Sequence, residues 1–149
     1  MICVPTVQHS GSLFVVDHLF GGRDNVVFRH FGQPAFEQLF EHIDGRNIII
    51  PLRKLKDIAT SWSGRQSNPH HLDRDIKLLI AFCEKYDPYF LPIDHENRQD
   101  YLDVINEGLS LSLTTDWPVI NKMKHRHCGD DFSIVDQHQW FFDKVYSSL

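Results

Sequence analysis

Apolar runs of strand length alternate along the chain with longer segments of helical periodicity. Four runs predict strands at 2–5, 25–30, 48–52 and 89–93. Helices are predicted at 12–20, 34–43, 55–63, 71–86, 97–107 and 132–147, and the stretch 109–127 is predicted to be irregular. The alternation predicts an α/β domain with three layers: a parallel sheet of about four to five strands and helices on both of its faces. A chain of 149 residues is the right length for one such domain.

Two turns lie where a predicted strand gives way to a predicted helix. The first lies within residues 5–14, and the second opens the segment of residues 53–61. A helix N-terminus directs unpaired backbone N–H groups and the positive end of its dipole at one place, so each turn is a candidate anion site. Ligands of parallel sheets bind at the carboxyl ends of the strands, where His30 also lies, at the end of the second predicted strand. Two such sites indicate a ligand with two separated phosphates.

These segments resemble motifs of the sulfotransferases that use 3′-phosphoadenosine 5′-phosphosulfate (PAPS). The family's strand–loop–helix reads roughly Pro-Lys-Ser-Gly-Thr-Thr-Trp, and its counterpart here is residues 5–14. Arg53, Asp57 and Ser61 have the spacing of the family's 3′-phosphate segment, Arg-x-x-x-Asp/Glu-x-x-x-Ser. His30 occupies the place of a family histidine that follows a strand. The chain is therefore similar to a short, divergent member of this family.

A fourth resemblance lies near the C-terminus, and it is accompanied by departures from the family pattern. Gly129-Asp130 precedes a Phe-Ser pair and an aromatic-rich helix, as in the family. The family's loop lysine is His9 here, its Thr-Thr pair is Ser12-Leu13, and its Arg-Lys-Gly is replaced by residues 124–126. The nucleotide half of the family pattern is thus kept better than the part that shapes an acceptor pocket.

The resemblance implies a P-loop-type fold, a cofactor, a reaction and a set of site residues. PAPS would donate a sulfuryl group to a hydroxyl or amine on a small molecule, sugar or peptide, and leave as 3′-phosphoadenosine 5′-phosphate (PAP). His30 would act as the catalytic base, and His9, as an imidazolium, would contact the leaving phosphate. The residues implied in cofactor binding are His9, Ser10, Gly11, Ser12, Leu13, Arg53, Ser61, Lys124 and Arg126.

The residues themselves leave simpler alternatives open. Ser10 or Ser12 can be an ordinary helix N-cap, and Arg53 can form a surface ion pair with Asp57. His30 can be an ordinary histidine at a sheet edge. The replacement of the loop lysine makes a non-catalytic module that binds PAP, another nucleotide or a partner the alternative function. A small-molecule phosphotransferase is a third, although the chain has no Gly-Lys-Ser/Thr sequence.

Composition narrows the classes of partner and the setting. A net charge of −5 argues against nucleic acid and anionic membranes, and no apolar run approaches the length of a membrane span. The three cysteines are widely spaced, which predicts a reducing, cytoplasmic setting. The His-Arg-His-Cys sequence at 125–128 fits no standard zinc site, so no metal is predicted. The oligomeric state is left open.

Overall fold

Parallel strands and helices alternate in the structure in the predicted order. The computed structural model describes residues 1–65, 68–117 and 130–149. Within these ranges the strands are β1 (Ile2–Thr6), β2 (Val26–His30), β3 (Ile49–Leu52) and β4 (Tyr89–Pro92). The α-helices of the same ranges are α1 (Ser12–Phe20), α2 (Leu55–Gly64), α3 (Pro69–Lys85), α4 (Arg98–Leu109) and α5 (Gln139–Tyr146). The mixed α/β class is as predicted.

Within the described residues, three segments take the tighter 3-10 form. They are Arg23–Asn25, Pro34–His42 and Ser133–His138. The second had been predicted as an ordinary helix, and the third forms the first half of the predicted C-terminal helix. None of the described helices is both long enough and apolar enough to cross a membrane.

The strands pair two by two, so the predicted continuous sheet is not observed in the described residues. β1 pairs with β2 and β3 pairs with β4, both in parallel. A single parallel bridge between Cys3 and Ile48 links the two pairs, and there the Cys3 amide donates to the Asn47 carbonyl at 2.8 Å. In a parallel ladder every second residue of a strand bonds to the same neighbouring strand. The next backbone donors between β1 and β3 would therefore be those of Pro5 and Pro51. Proline has no N–H, and the ladder therefore ends at the bridge.

Successive residues of the strands enter different apolar clusters. Ile50 of β3 belongs to a cluster that contains residues of α2, α3 and α5. Its neighbour Ile49 packs instead with Val15 of α1 and Ile105 of α4. Because neighbouring strand residues point to opposite faces, β3 is covered by helices on both sides. That coverage explains why its sequence shows no polar alternation.

A buried carboxylate joins the C-terminal segment to α3. Asp73 accepts hydrogen bonds from Gln137 at 2.9 Å and pairs with His138 at 2.7 Å and with Lys77 at 2.9 Å. Burial alone would raise the pKa of Asp73, but the bonds from Lys77 and His138 lower it overall. The carboxylate therefore stays charged, and it fixes the segment that leads into α5.

The turn after β2 depends on a glycine. Gly32 has a φ of +78°, and a Cβ atom built there would lie 2.2 Å from Oδ1 of Asp75. Asp75 cannot move aside easily, because it is buried in α3 and paired with Arg74 at 2.9 Å. The close approach of this turn to α3 thus requires a residue without a side chain.

We predict that Gly32→Ala destabilises the fold more than Gly45→Ala does. Gly45 also has a positive φ, of +60°, but no atom lies within 4 Å of the position of its Cβ. Gly45→Ala should cost about 1–2 kcal/mol for the left-handed backbone alone. Gly32→Ala should add about 1–3 kcal/mol for the overlap with Asp75. Urea unfolding of the two variants measures the difference, and equal losses would contradict this packing.

Candidate functional site

A cleft of about 480 Å³ lies at the carboxyl ends of β1, β2 and β3. Its walls come from the loop after β1, from the last residue of β2, and from the segment that follows β3 and continues into α2. Most of the residues predicted to bind or act on the ligand line it: His9, Gly11, Ser12, Leu13, His30, Arg53 and Ser61. Segments that are far apart in sequence thus meet at one edge, as expected for parallel strands.

The charge of the cleft is opposite to that of the chain. Among the described residues, its lining includes Arg53, Arg65, His9 and His30 but no carboxylate. The chain as a whole has 20 acidic residues and a net charge of −5. Cationic side chains that line a concave site attract and concentrate anions. The cleft is therefore suited to an anionic ligand.

The start of α1 contributes backbone donors to this cleft. Its N-cap is Gly11, which has a φ of 81° and provides no side-chain cap. The first intrahelical bond runs from the Val15 amide to the Gly11 carbonyl at 3.2 Å, so the amides of residues 12–14 precede the helical ladder. The predicted alternative, an ordinary cap made by Ser10 or Ser12, does not form here. The helix start is left for an anion or water to satisfy.

Ser10 has a different place from the one predicted. It is fully buried, its hydroxyl donates to the Val7 carbonyl at 2.6 Å, and its amide points to the same carbonyl at 3.3 Å. Ser10 does not line the cleft, so its position does not support the predicted role in cofactor binding. Ser12, which lines the cleft, is the serine of this loop that can contact a ligand.

Gly11 lets the loop pack closely against the end of β4. A Cβ atom at this position would lie 2.2 Å from Cδ1 of Ile93, a buried residue, and 3.6 Å from Cδ of Arg53. The positive φ adds a second reason for glycine. The approach brings the start of α1 next to the Arg53 side chain.

Arg53 faces the loop after β1. Its Nη1 donates to the His9 carbonyl at 3.4 Å. The alternative ion pair between Arg53 and Asp57 is absent from the ion pairs of the described residues. Ser61 lies two turns along α2 and also lines the cleft. The spacing of eight residues therefore serves to place both side chains on one wall.

The start of α2 is held by a buried acid. Asp94 accepts a hydrogen bond from the Lys54 amide at 2.9 Å and another from the hydroxyl of Tyr146 on α5. Burial, together with the nearby charge of Asp94, raises the pKa of Tyr146 far above its ordinary value. The hydroxyl thus remains a donor at all physiological pH values. Through Asp94, α5 thus fixes the backbone next to Arg53.

His30 lies on the wall formed by β2. Its Nδ1 is 2.7 Å from the hydroxyl of buried Thr6, its strand partner, and its ring meets the ring of Phe28 edge-on at 4.8 Å. Burial, and to a lesser degree the charge of Arg23, lowers the pKa of His30. The imidazole is therefore neutral at pH 7. In the tautomer whose Nδ1–H donates to the Thr6 hydroxyl, Nε2 has the lone pair that can accept a proton from a ligand.

The structure also shows cleft residues that the sequence analysis missed. Arg65, Gln8 and Phe14 line the cleft. Arg65 lies four residues after Ser61, one helical turn, and that spacing is the signal that could have identified it. Lys124 and Arg126, predicted near the 3′-phosphate, lie outside the described residues.

Comparisons with known proteins do not identify the chain. No protein-family model, no curated protein and no solved structure matches it. The assignment of the cleft therefore depends on its own chemistry. That chemistry is a helix N-terminus, two arginines and two histidines around one space.

We predict that Arg23→Gln raises the pKa of His30 without restoring it fully to 6.5, its ordinary value. Removing a nearby positive charge favours the imidazolium, but burial, the larger cause, remains. Arg29→Gln is the matched control, because Arg29 adjoins His30 in sequence but bonds to Gln38 at 2.8 Å. An NMR titration of the ring protons measures the pKa in each variant. A larger rise in the control would show that Arg23 does not act on His30.

Proposed function

We propose that the chain binds PAPS in this cleft and transfers its sulfuryl group to a hydroxyl or amine acceptor. The observation that carries the proposal is the meeting of three features in one cleft without a carboxylate among its described lining residues. They are the uncapped start of α1, the pair Arg53 and Ser61, and the neutral His30. A ligand with a 5′-phosphosulfate and a separate 3′-phosphate needs two anion sites and a base, and these features can supply them.

In the proposed reaction each group of the cleft has one task. His30 accepts the proton of the acceptor group through Nε2 while the acceptor atom forms a bond to sulfur. The bond between sulfur and the bridging oxygen breaks, and PAP leaves with that oxygen and its negative charge. The amides of residues 12–14 and the ring of His9 stabilise this charge as it develops. Arg53, with its planar pair of donors, and Ser61 hold the 3′-phosphate.

We also propose that the strands belong to a P-loop-type fold. What supports this is the parallel direction of both strand pairs, the loop with Gly11 between β1 and α1, and helices on both faces of β3. The small-molecule phosphotransferase is less well supported, because no lysine lines the cleft among its described residues. A cytoplasmic setting stays a prediction.

The same absence of a lysine favours a second candidate function. A lysine next to the leaving phosphate would be charged at any physiological pH, whereas a histidine has an ordinary pKa of about 6.5. A cleft with His9 in that place can bind PAP and yet support little or no transfer. The second candidate is therefore a non-catalytic module that binds PAP, another nucleotide or a partner.

We predict that Arg53→Ala weakens PAP binding more than it weakens binding of adenosine 5′-phosphosulfate, which has no 3′-phosphate. Loss of a charge-assisted contact should cost PAP about 1.5–3 kcal/mol. The second ligand should lose less, because it is affected only through the contact of Arg53 with His9. Isothermal titration calorimetry measures both affinities.

Two further variants make this comparison sharper. Ser61→Ala should weaken PAP and leave adenosine 5′-phosphosulfate unchanged. Arg46→Ala is the control for charge, because Arg46 pairs with Asp87 and does not line the cleft. Equal losses of both ligands in Arg53→Ala and Ser61→Ala would refute the two-site assignment. Preference of the wild type for ATP over PAP would favour the phosphotransferase.

We predict that His30→Gln lowers kcat by roughly 10²–10⁴ and leaves PAP affinity nearly unchanged, as expected for a base that does not hold the cofactor. Turnover is measured with PAPS and a panel of phenol, sugar and peptide acceptors. PAP binding with no turnover on any acceptor would favour the binding module. Unchanged turnover in His30→Gln would exclude His30 as the base.

A further inference from the structure

The loop between β1 and α1 has its carbonyl groups occupied in succession. The Val7 carbonyl accepts from Ser10, the Gln8 carbonyl accepts from Nε1 of Trp62 at 2.9 Å, and the His9 carbonyl accepts from Arg53. A carbonyl that faces an anion repels it, whereas an amide attracts it. A loop that binds phosphate must therefore turn its carbonyls away, and here each of the three has a donor that holds it.

Two of these donors, Trp62 and Arg53, come from outside the loop, and Trp62 is the more firmly held of the two. It is only 4% exposed, and it lies on α2 immediately after Ser61. Its ring also meets the ring of His9 edge-on, with 5.9 Å between the centroids. Trp62 does not line the cleft. It touches the loop from behind the cleft.

His9 needs such support because of its backbone. Its φ of +66° is in the left-handed region, which is uncommon for residues other than glycine and persists where the surroundings enforce it. Trp62 donates a hydrogen bond to the carbonyl of Gln8, the residue before His9, and its indole ring contacts the ring of His9. Removal of the indole N–H would free the Gln8 carbonyl and weaken the constraint on the next residue.

We infer that Trp62 is a positioning residue, which holds the loop in the conformation that presents amides to the 5′-phosphosulfate. This inference rests on the proposed function of the cleft. Since α2 also carries Ser61 and begins beside Arg53, the indole sets the distance between the two anion sites. Trp62 touches neither the cofactor nor the acceptor in this proposal.

The test is Trp62→Phe, which keeps an aromatic ring and removes the N–H donor. Tyr101→Phe is the matched control, because Tyr101 is 3% exposed, its hydroxyl donates to the Val145 carbonyl at 2.7 Å, and it does not line the cleft. Loss of one hydrogen bond predicts a three- to tenfold weaker affinity, roughly, for PAP and for adenosine 5′-phosphosulfate alike. Ser61→Ala should affect PAP alone, and the control should change either affinity by less than about twofold.

A second measurement needs no ligand. Amide hydrogen exchange at Ser10, whose N–H bonds to Val7 within the loop, should become several times faster in Trp62→Phe and not in Tyr101→Phe. Should Trp62→Phe fail to fold, benzothienylalanine at position 62 keeps the shape of the indole without its N–H.

The outcomes separate this inference from the proposed function. Unchanged exchange at Ser10, or a loss confined to PAP, would overturn the role of Trp62. If the wild-type protein binds neither nucleotide, the proposed function fails, and exchange at Ser10 alone decides whether Trp62 holds the loop. Faster exchange together with an equal loss of both ligands supports both.

Discussion

The hydrogen-bond ladder between β1 and β3 stops after one bridge, and the organisation of the cleft depends on this interruption. The two donors that would continue the ladder are replaced by Pro5 and Pro51, so the strands have no backbone link beyond Cys3 and Ile48. Side chains make the connection at the carboxyl ends instead. Trp62 and Arg53 both reach back from the segment after β3 to carbonyls of the loop after β1. The same interruption thus divides the sheet and gives the loop its external supports.

Acidic and basic side chains occupy different places in this part of the fold. Two buried acids hold elements of the fold and do not line the cleft: Asp94 bonds to the start of α2, and Asp73 bonds to the segment before α5. The described walls of the cleft contain only cationic or titratable basic groups and neutral ones. An acid on the walls would cancel the attraction for an anion, whereas Asp94 lies outside the lining and fixes the start of α2, next to Arg53. An acidic chain can in this way maintain a basic site.

Much of the secondary structure could be predicted from local pattern alone. The period of apolar residues identified the strands and α-helices of the described ranges, because each element buries one face or stripe. The 3-10 form of Pro34–His42 was missed, since helical period does not separate it from an α-helix. The split sheet was missed for another reason. Both prolines are visible in the sequence, but only the register of the strands shows that their missing donors belong to the same ladder.

The sequence by itself determined which segments meet, and the tertiary structure decided what each side chain does there. Parallel strands bring their carboxyl ends to one edge, so the places of the loop at Gly11, of Arg53 and of His30 follow from the order of elements. Chain order does not tell whether a polar group turns inward or outward. In the folded chain the Ser10 hydroxyl bonds to the Val7 carbonyl, the Arg53 guanidinium bonds to the His9 carbonyl, and Nδ1 of His30 bonds to the Thr6 hydroxyl. Such partners come from residues up to 44 positions away, and their choice depends on the distances and burial that only the folded chain provides.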